Sequence, residues 1–319
     1  MLTLALGALG CGGDKKEAGA KAEKVNVGIV QLVEHEALDA ANKGFVDGLA
    51  SKGYKEGQNI TFDKQNAQAD QSNLQNIAHR FVNNKVDLIC AIATPAAQTV
   101  ANVTSDIPIV ATAVTDYKTA KLVKDDAKPG TNVTGTTDMN PVAEQLDLLL
   151  KLVPNAKTIG TIYCSSEVNS QLQVELLKKA AAAKGITVKE ATVSTVNDIQ
   201  QAARSLAGDV QAVYVPTDNV LASAIPTLIS VTEEAKLPVI CAEGGMVRAG
   251  GLATLGVDYY KLGFQTGVMA ADILSGKAKP ADMAIQAQKE FKPTINLKEA
   301  AKIGLKVPED LLKGAEVIK

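Results

Sequence analysis

Tryptophan is absent from the 319 residues, and phenylalanine and tyrosine number only 5 and 6. The interior must therefore be filled by Ala, Val, Ile and Leu, which suits helices packed on a buried sheet. An excess of either charge is also missing. The net charge is −2, so the basic footprint of a nucleic-acid-binding protein is lacking and no nucleic-acid partner is expected. The four cysteines, Cys11, Cys90, Cys164 and Cys241, form no C-x-x-C pair, which removes the usual zinc and dithiol motifs. Cys90 and Cys241 lie in apolar runs and read as small buried hydrophobes, and no disulfide is expected. There is no G-x-S-x-G beside the two histidines, His35 and His79, and no G-x-x-x-x-G-K or G-x-G-x-x-G. Serine hydrolysis and nucleotide binding thus have no supporting motif, and neither metal nor cofactor is expected.

The apolar stretch Met1 to Gly10 is too short to span a bilayer as a helix. It leads into Ala8-Leu9-Gly10-Cys11, which looks like the cleavage box of a bacterial lipoprotein signal peptide, with Cys11 as the lipid-bearing residue. Gly12 to Lys24 follows with many charges and no large apolar side chain. Such a segment is a solvated tether, so a folded domain held near a membrane surface is expected.

The length suggests about two domains. Val86 to Gln98 opens as an unbroken apolar run, the pattern of a parallel strand buried on both faces. It ends in Thr94-Pro-Ala-Ala-Gln98, where a helix is expected from about Ala96. A hydroxyl and free N–H groups at a helix N-terminus form a seat for an anion such as a carboxylate. Strands over Val25–Val30, Asn59–Asp63, Ile107–Ala111 and Val133–Thr137 alternate with helices over about Ala37–Lys52 and Ser72–Asn83. This alternation implies a doubly wound parallel sheet.

The pattern then restarts. Gly28 and Gly53 are 25 positions apart, as are Gly160 and Gly185. Val210 to Asn219 repeats the strand-then-Pro/Thr-turn design of Val86 to Gln98, and Pro238-Val-Ile-Cys-Ala242 repeats Pro108-Ile-Val-Ala111. Two similar α/β halves in tandem predict two lobes facing across a cleft. Gly256 to Leu274 is expected to cross back to lobe one, and Lys292 onward to return to lobe two. The predicted division is 1–23 as signal remnant and tether, 24–137 with 257–288 as lobe one, and 138–256 with 289–319 as lobe two. Several crossings make a hinge.

Particular stretches resemble the substrate-binding lipoproteins of ABC transporters in the tryptophan/tyrosine-binding family. They are Gly28-Ile-Val-Gln-Leu-Val-Glu-His-Glu-Ala-Leu-Asp39, Gln65-Asn-Ala-Gln-Ala-Asp-Gln-Ser-Asn73, Ala93-Thr-Pro-Ala-Ala-Gln98, Pro216-Thr-Asp-Asn219 and Leu255-Gly-Val-Asp-Tyr-Tyr260. The resemblance covers about Lys24 to Pro280 and departs from the family at Tyr117, where Pro is expected, and at Cys164, where Asn is usual. It implies the type I periplasmic-binding-protein fold, two Rossmann-like doubly wound lobes joined by a multi-segment hinge. It also implies a monomer that captures a small amphipathic amino acid, aromatic above all, and hands it to an ABC permease outside the cytoplasm.

A free amino acid needs donors for its carboxylate and a carboxylate partner for its ammonium. On the lobe-one side, Gln31, Thr94, the Ala96 N–H, Gln98 and Thr115 are candidates, with Glu34 and His35 on the first cleft loop. On the lobe-two side they are Ser166, Asn169 and Ser170, with Asp218 first and Glu243 second as ammonium partner and Asn219 orienting either group. Tyr117, Tyr163, Tyr214 and Tyr259 are the aromatics expected near these loops. A ligand-sensing ectodomain of the same fold is the alternative. A two-lobed racemase needs a partly exposed cysteine from each lobe, and only Cys164 is expected at a strand end. A repressor core would need a DNA-binding segment where the tether stands.

Overall fold

In this computed structural model the described residues are 24–319, and the expected lipid site Cys11 and the tether lie outside them. The first sheet is built from β1 (Val25–Gln31), β2 (Ile60–Asn66), β3 (Leu88–Ile92), β4 (Ile109–Val114) and β5 (Val133–Thr137). Helices α1 (Glu36–Ser51), α2 (Gln71–Asn83) and α3 (Thr94–Val103) connect these strands. The second lobe follows with α4 (Val142–Leu152), β6 (Thr158–Cys164), α5 (Val168–Ala183), β7 (Thr187–Val193), α6 (Ile199–Ala207) and β8 (Val213–Val215). It continues through α7 (Asn219–Ser223), α8 (Ile225–Glu234), β9 (Val239–Cys241), α9 (Gly244–Arg248) and β10 (Ala253–Gly256). Then α10 (Tyr259–Leu274) and β11 (Gln286–Ala287) join the first lobe, and β12 (Lys292–Asn296), α11 (Leu297–Lys302) and β13 (Glu316–Ile318) complete the second.

The strand orders are β2-β1-β3-β4-β5-β11 and β7-β6-β8-β9-β10-β12-β13. Each is a doubly wound sheet, so the cleft-side ends of the strands carry the loops that can hold a ligand. One pair departs from the parallel expectation: β10 and β12 are antiparallel. The chain reaches β12 from the hinge, not through a crossover helix, so it enters the sheet from the opposite end.

The local reasons are plain. All residues of β3 are buried, as a strand covered by helices on both faces requires. Helix α3 starts at Thr94, earlier than the sequence suggested, because Pro95 fits the first helical turn. Gly53 and Gly185 stand just past α1 and α5 with φ of 93° and 68°, a conformation that ends a helix without steric strain only at glycine. Helix α10 crosses α1 so closely that a Cβ on Gly263 would lie 1.9 Å from the Ala41 carbonyl oxygen. This contact fastens the returning helix to lobe one. The strand ends facing the cleft hold two alanines with positive φ, Ala93 (91°) and Ala113 (56°). Such conformations are costly away from glycine and concentrate at functional sites.

Candidate functional site

Two of the chambers between the lobes are lined by the predicted residues. The outer one, about 470 Å3, is bounded by Leu32, Leu74, Pro95, Gln98 and Thr99 on one side and by Cys164, Ser166, Glu167, Asn219 and Val220 on the other. That volume lies within the range of about 300–1,000 Å3 usual for small-molecule sites. The inner one is about 10 Å3 and is bounded by His35, Ala113, Asp138, Asn169, Asp218, Glu243 and Tyr259 among others. It is room for about one water molecule.

Contacts between the lobes close this space. His35 Nε2 lies 3.3 Å from Asn219 Oδ1, and Arg248 pairs with Glu36. Val168, in the first turn of α5, packs on the lobe-one core.

The predicted site residues fall into two groups. Gln98, Ser166 and Asn219 line the outer chamber. Asn169, Asp218 and Glu243 line the inner one. Thr94 and Ala96 are buried at the start of α3, and the N-cap residue Ala93 offers that helix no side-chain cap. Since Pro95 has no N–H, the Thr94 and Ala96 amides are the donors nearest the cleft end of the helix. The remaining three face inward. Gln31 spends its amide inside lobe one, donating to Asp39 Oδ1 at 2.6 Å and the Val33 carbonyl and accepting from Asn42. Thr115 donates to Asp138 Oδ1 at 2.8 Å. Ser170 donates to Asp218 Oδ2 at 2.8 Å. These three are therefore supports for other groups.

The expected aromatics correct in the same way. Tyr117 is buried with its hydroxyl donating to the Ala111 and Thr136 carbonyls, and Tyr214 is buried against Gln145. Tyr163 bonds Glu190 away from the cleft. Of the four, Tyr259 alone lines a chamber between the lobes.

Two carboxylates escaped the sequence reading. Glu167 is 4% exposed. Its oxygens accept from Asn169 Nδ2, Asn219 Nδ2 and the Asn219 and Val220 amides at 2.6–3.3 Å. Asp138, at the first crossing, accepts from Thr115 and from the Tyr259 hydroxyl at 2.7 Å. The signal available was their position beside strand ends. Their partners lie 52 and 121 residues away in sequence, beyond the reach of local pattern.

Asp218 caps α7, accepting from Leu221 N, and also from Cys164 N and Ser170. Glu243 caps α9 through the Gly245 and Met246 amides. Capping and lining the chamber coexist at both. Burial raises the carboxyl pKa of all four acids. Glu167 reaches about 8, with the nearby Asp218 charge adding to burial. Glu243 reaches about 7, and Asp138 and Asp218 rise as well. Burial lowers the pKa of His35, so its imidazole favours the neutral form. Clustered perturbed groups in a cleft mark a functional site. Burial also raises the Cys164 thiol, which lies 3.2 Å from Ser166 Oγ. Cys90 and Cys241 are buried inside their strands, so among the described residues no cysteine faces Cys164 across the cleft.

Two parallel-sheet lobes with a lined cleft between them define a solute-binding protein of the type I periplasmic architecture. The family described as ABC transporter substrate binding protein matches residues 26–319, and the chain belongs to that family. It is 48% identical over 265 residues, 83% of this chain and 76% of the relative, to the tyrosine-binding protein of Clostridioides difficile strain R20291. Among solved structures it is similar to an ABC domain from Streptococcus pneumonia in complex with L-Trp. That match has a TM-score of 0.90 at 41% identity and covers 93% of this chain and 100% of that one. It is also similar to a ligand-free, open substrate-binding protein with adhesive properties from Clostridium difficile. There the TM-score is 0.71 at 45% identity, covering 92% and 99%. No helix among the described residues is long and apolar enough to cross a membrane.

Proposed function

We propose that this protein is the extracytoplasmic solute-binding component of an ABC importer. It captures the zwitterion of an aromatic amino acid, Trp, Tyr or Phe, between its lobes and delivers it to a membrane permease. The units that move are 24–137 with 257–288 and 138–256 with 289–319, turning on the three crossings. The chain acts as a monomer, without cofactor, held near the membrane by lipid on Cys11.

One comparison carries this reading. At nearly equal identity, the chain is far closer in shape to the tryptophan-bound relative than to the open, ligand-free one, with TM-scores of 0.90 and 0.71. A difference of that size at matched sequence similarity fits a change of lobe arrangement. The cross-lobe contacts at His35 and Arg248 support a closed arrangement here. A ligand that binds only the closed form shifts the population toward it.

The roles follow from the chemistry. The ligand carboxylate meets the amides of Thr94 and Ala96 at the α3 N-terminus, with Gln98 and Ser166 beside it. The ammonium meets the lobe-two acids, Asp218 first. The ring lies along Leu32, Leu74 and Val220. A thermal-melting panel of all amino acids, sugars and nucleosides tests this. An aromatic amino acid at about 100 times its dissociation constant adds about 2.7 kcal/mol to the folded state. Stabilisation by sugars or nucleosides alone contradicts it.

A further inference from the structure

The two poles of the cleft are unequal. Neither chamber has a lysine or arginine among its lining residues. His35 is the single basic side chain on the inner chamber. Against this stand Asp138, Asp218 and Glu243 on the inner chamber and Glu167 on the outer one, none more than 4% exposed. The hydrogen bonds these acids accept from side chains and backbone come from neutral N–H and O–H groups, without a cation among the donors. A second observation points to a missing donor. Asn169, 4% exposed and lining the inner chamber, has its Oδ1 without any hydrogen-bond partner, while its Nδ2 is held by Glu167 and the Thr217 carbonyl. Buried carbonyl and carboxylate oxygens left without a donor or counter-charge are strongly unfavourable. At the other pole the α3 amides are neutral, and water replaces a ligand carboxylate there at small cost.

We infer that recognition in this cleft rests on the ligand's ammonium group, so that decarboxylated aromatic amines are a second class of ligand. This deepens the proposed function and rests on it. An amine keeps the N–H donors that the Asn169 oxygen and the acids can accept, and loses only contacts to neutral donors. The corresponding acid without an ammonium leaves the Asn169 oxygen and the lobe-two acids without that donor, and neither chamber offers its carboxylate a lysine or arginine.

Calorimetric titration of the full chain with two series tests this: L-tryptophan, tryptamine and indole-3-propionate, and L-tyrosine, tyramine and 3-(4-hydroxyphenyl)propionate. In the series whose amino acid binds, the amine binds within about 100-fold of it. The ammonium-free acid is weaker by about 10,000-fold, as when a buried polar site is left unpaired. Asn169→Ala weakens the amino acid and the amine by the same factor. Binding of the amino acid with an amine no better than the ammonium-free acid overturns the inference and spares the proposed function. Failure of L-tryptophan, L-tyrosine and L-phenylalanine alike overturns the two together.

Discussion

The imidazole of His35, at the mouth of α1 in one lobe, lies 3.3 Å from the amide oxygen of Asn219 in the other. Asn219 is in turn held by Glu167, which accepts from its side chain at 2.6 Å. A contact between the lobes is thus tied to a buried acid on the cleft wall, and both ends titrate.

The His35 end sets a pH dependence of closure. Burial lowers the pKa of His35 below its usual 6.5, against the raising effects of Asn219 and Asp39. A depressed histidine favours the neutral form, so its contribution to the closed state is complete well above pH 6.5 and is lost as pH falls. Ligand affinity measured from pH 8 to pH 5 declines on the acid side. In His35→Gln that His35-dependent part of the decline is absent.

The Glu167 end works in the opposite sense. Its carboxyl stands at about 8 against 4.5 for an unperturbed glutamate, raised by burial and by Asp218. A raised carboxyl contributes stability that is complete below about 4.5 and is lost as pH rises toward 8. The melting temperature of the ligand-free chain carries this downward slope across that interval, and Glu167→Gln flattens it.

Asp218 separates capping from ligand recognition. Asp218→Asn keeps an acceptor for Leu221 N but turns an NH2 toward the Cys164 amide, so it destabilises the chain by about 1–3 kcal/mol, while the ligand dissociation constant rises about 100-fold. Chemical denaturation and calorimetry on the same preparation check the two effects. Equal affinity in wild type and variant excludes Asp218 as the ammonium partner.

The cross-lobe pair of Arg248 and Glu36 is exposed by 39% and 49% at its side chains, so solvent screens it. A double-mutant cycle with Arg248→Ala and Glu36→Gln gives a coupling of about 0.2–1 kcal/mol in ligand affinity, which fades at high salt.

The glycine contact of α1 and α10 is a matter of stability alone. Gly263→Ala forces a methyl group to within 1.9 Å of the Ala41 carbonyl oxygen. Urea unfolding of this variant shows a loss of about 3 kcal/mol, although alanine is the better helix former in isolation.

The lobes were legible because they are repeated. The 25-residue spacing of Gly28–Gly53 and Gly160–Gly185 reflects the same physical unit twice. Its first glycine lies in a strand against a core side chain, Phe81 or Leu206, and its second ends a helix at positive φ. The antiparallel β12 was not legible, since strand direction depends on where the chain re-enters the sheet. At the site, Ser166, Asn169, Asp218, Asn219 and Glu243 follow strand ends and could be picked by position. Glu167 could not. In Ser-Ser-Glu-Val it reads as a solvated first-turn acid, and its burial comes from α7 amides distant in sequence. Tyr117 failed for the converse reason. Its hydroxyl finds two carbonyls inside lobe one, which satisfies the polar tip and draws the ring into the core.

The most direct measurement is the distance between the lobes in solution, with spin labels at Ser72 and Thr195, exposed residues beside the outer chamber on opposite lobes. With saturating L-tryptophan or L-tyrosine the distribution collapses to a single short distance, and without ligand a longer one is populated. A distance that is unchanged while calorimetry records binding, or one that shortens only with a sugar or nucleoside, contradicts capture of an aromatic amino acid by lobe closure.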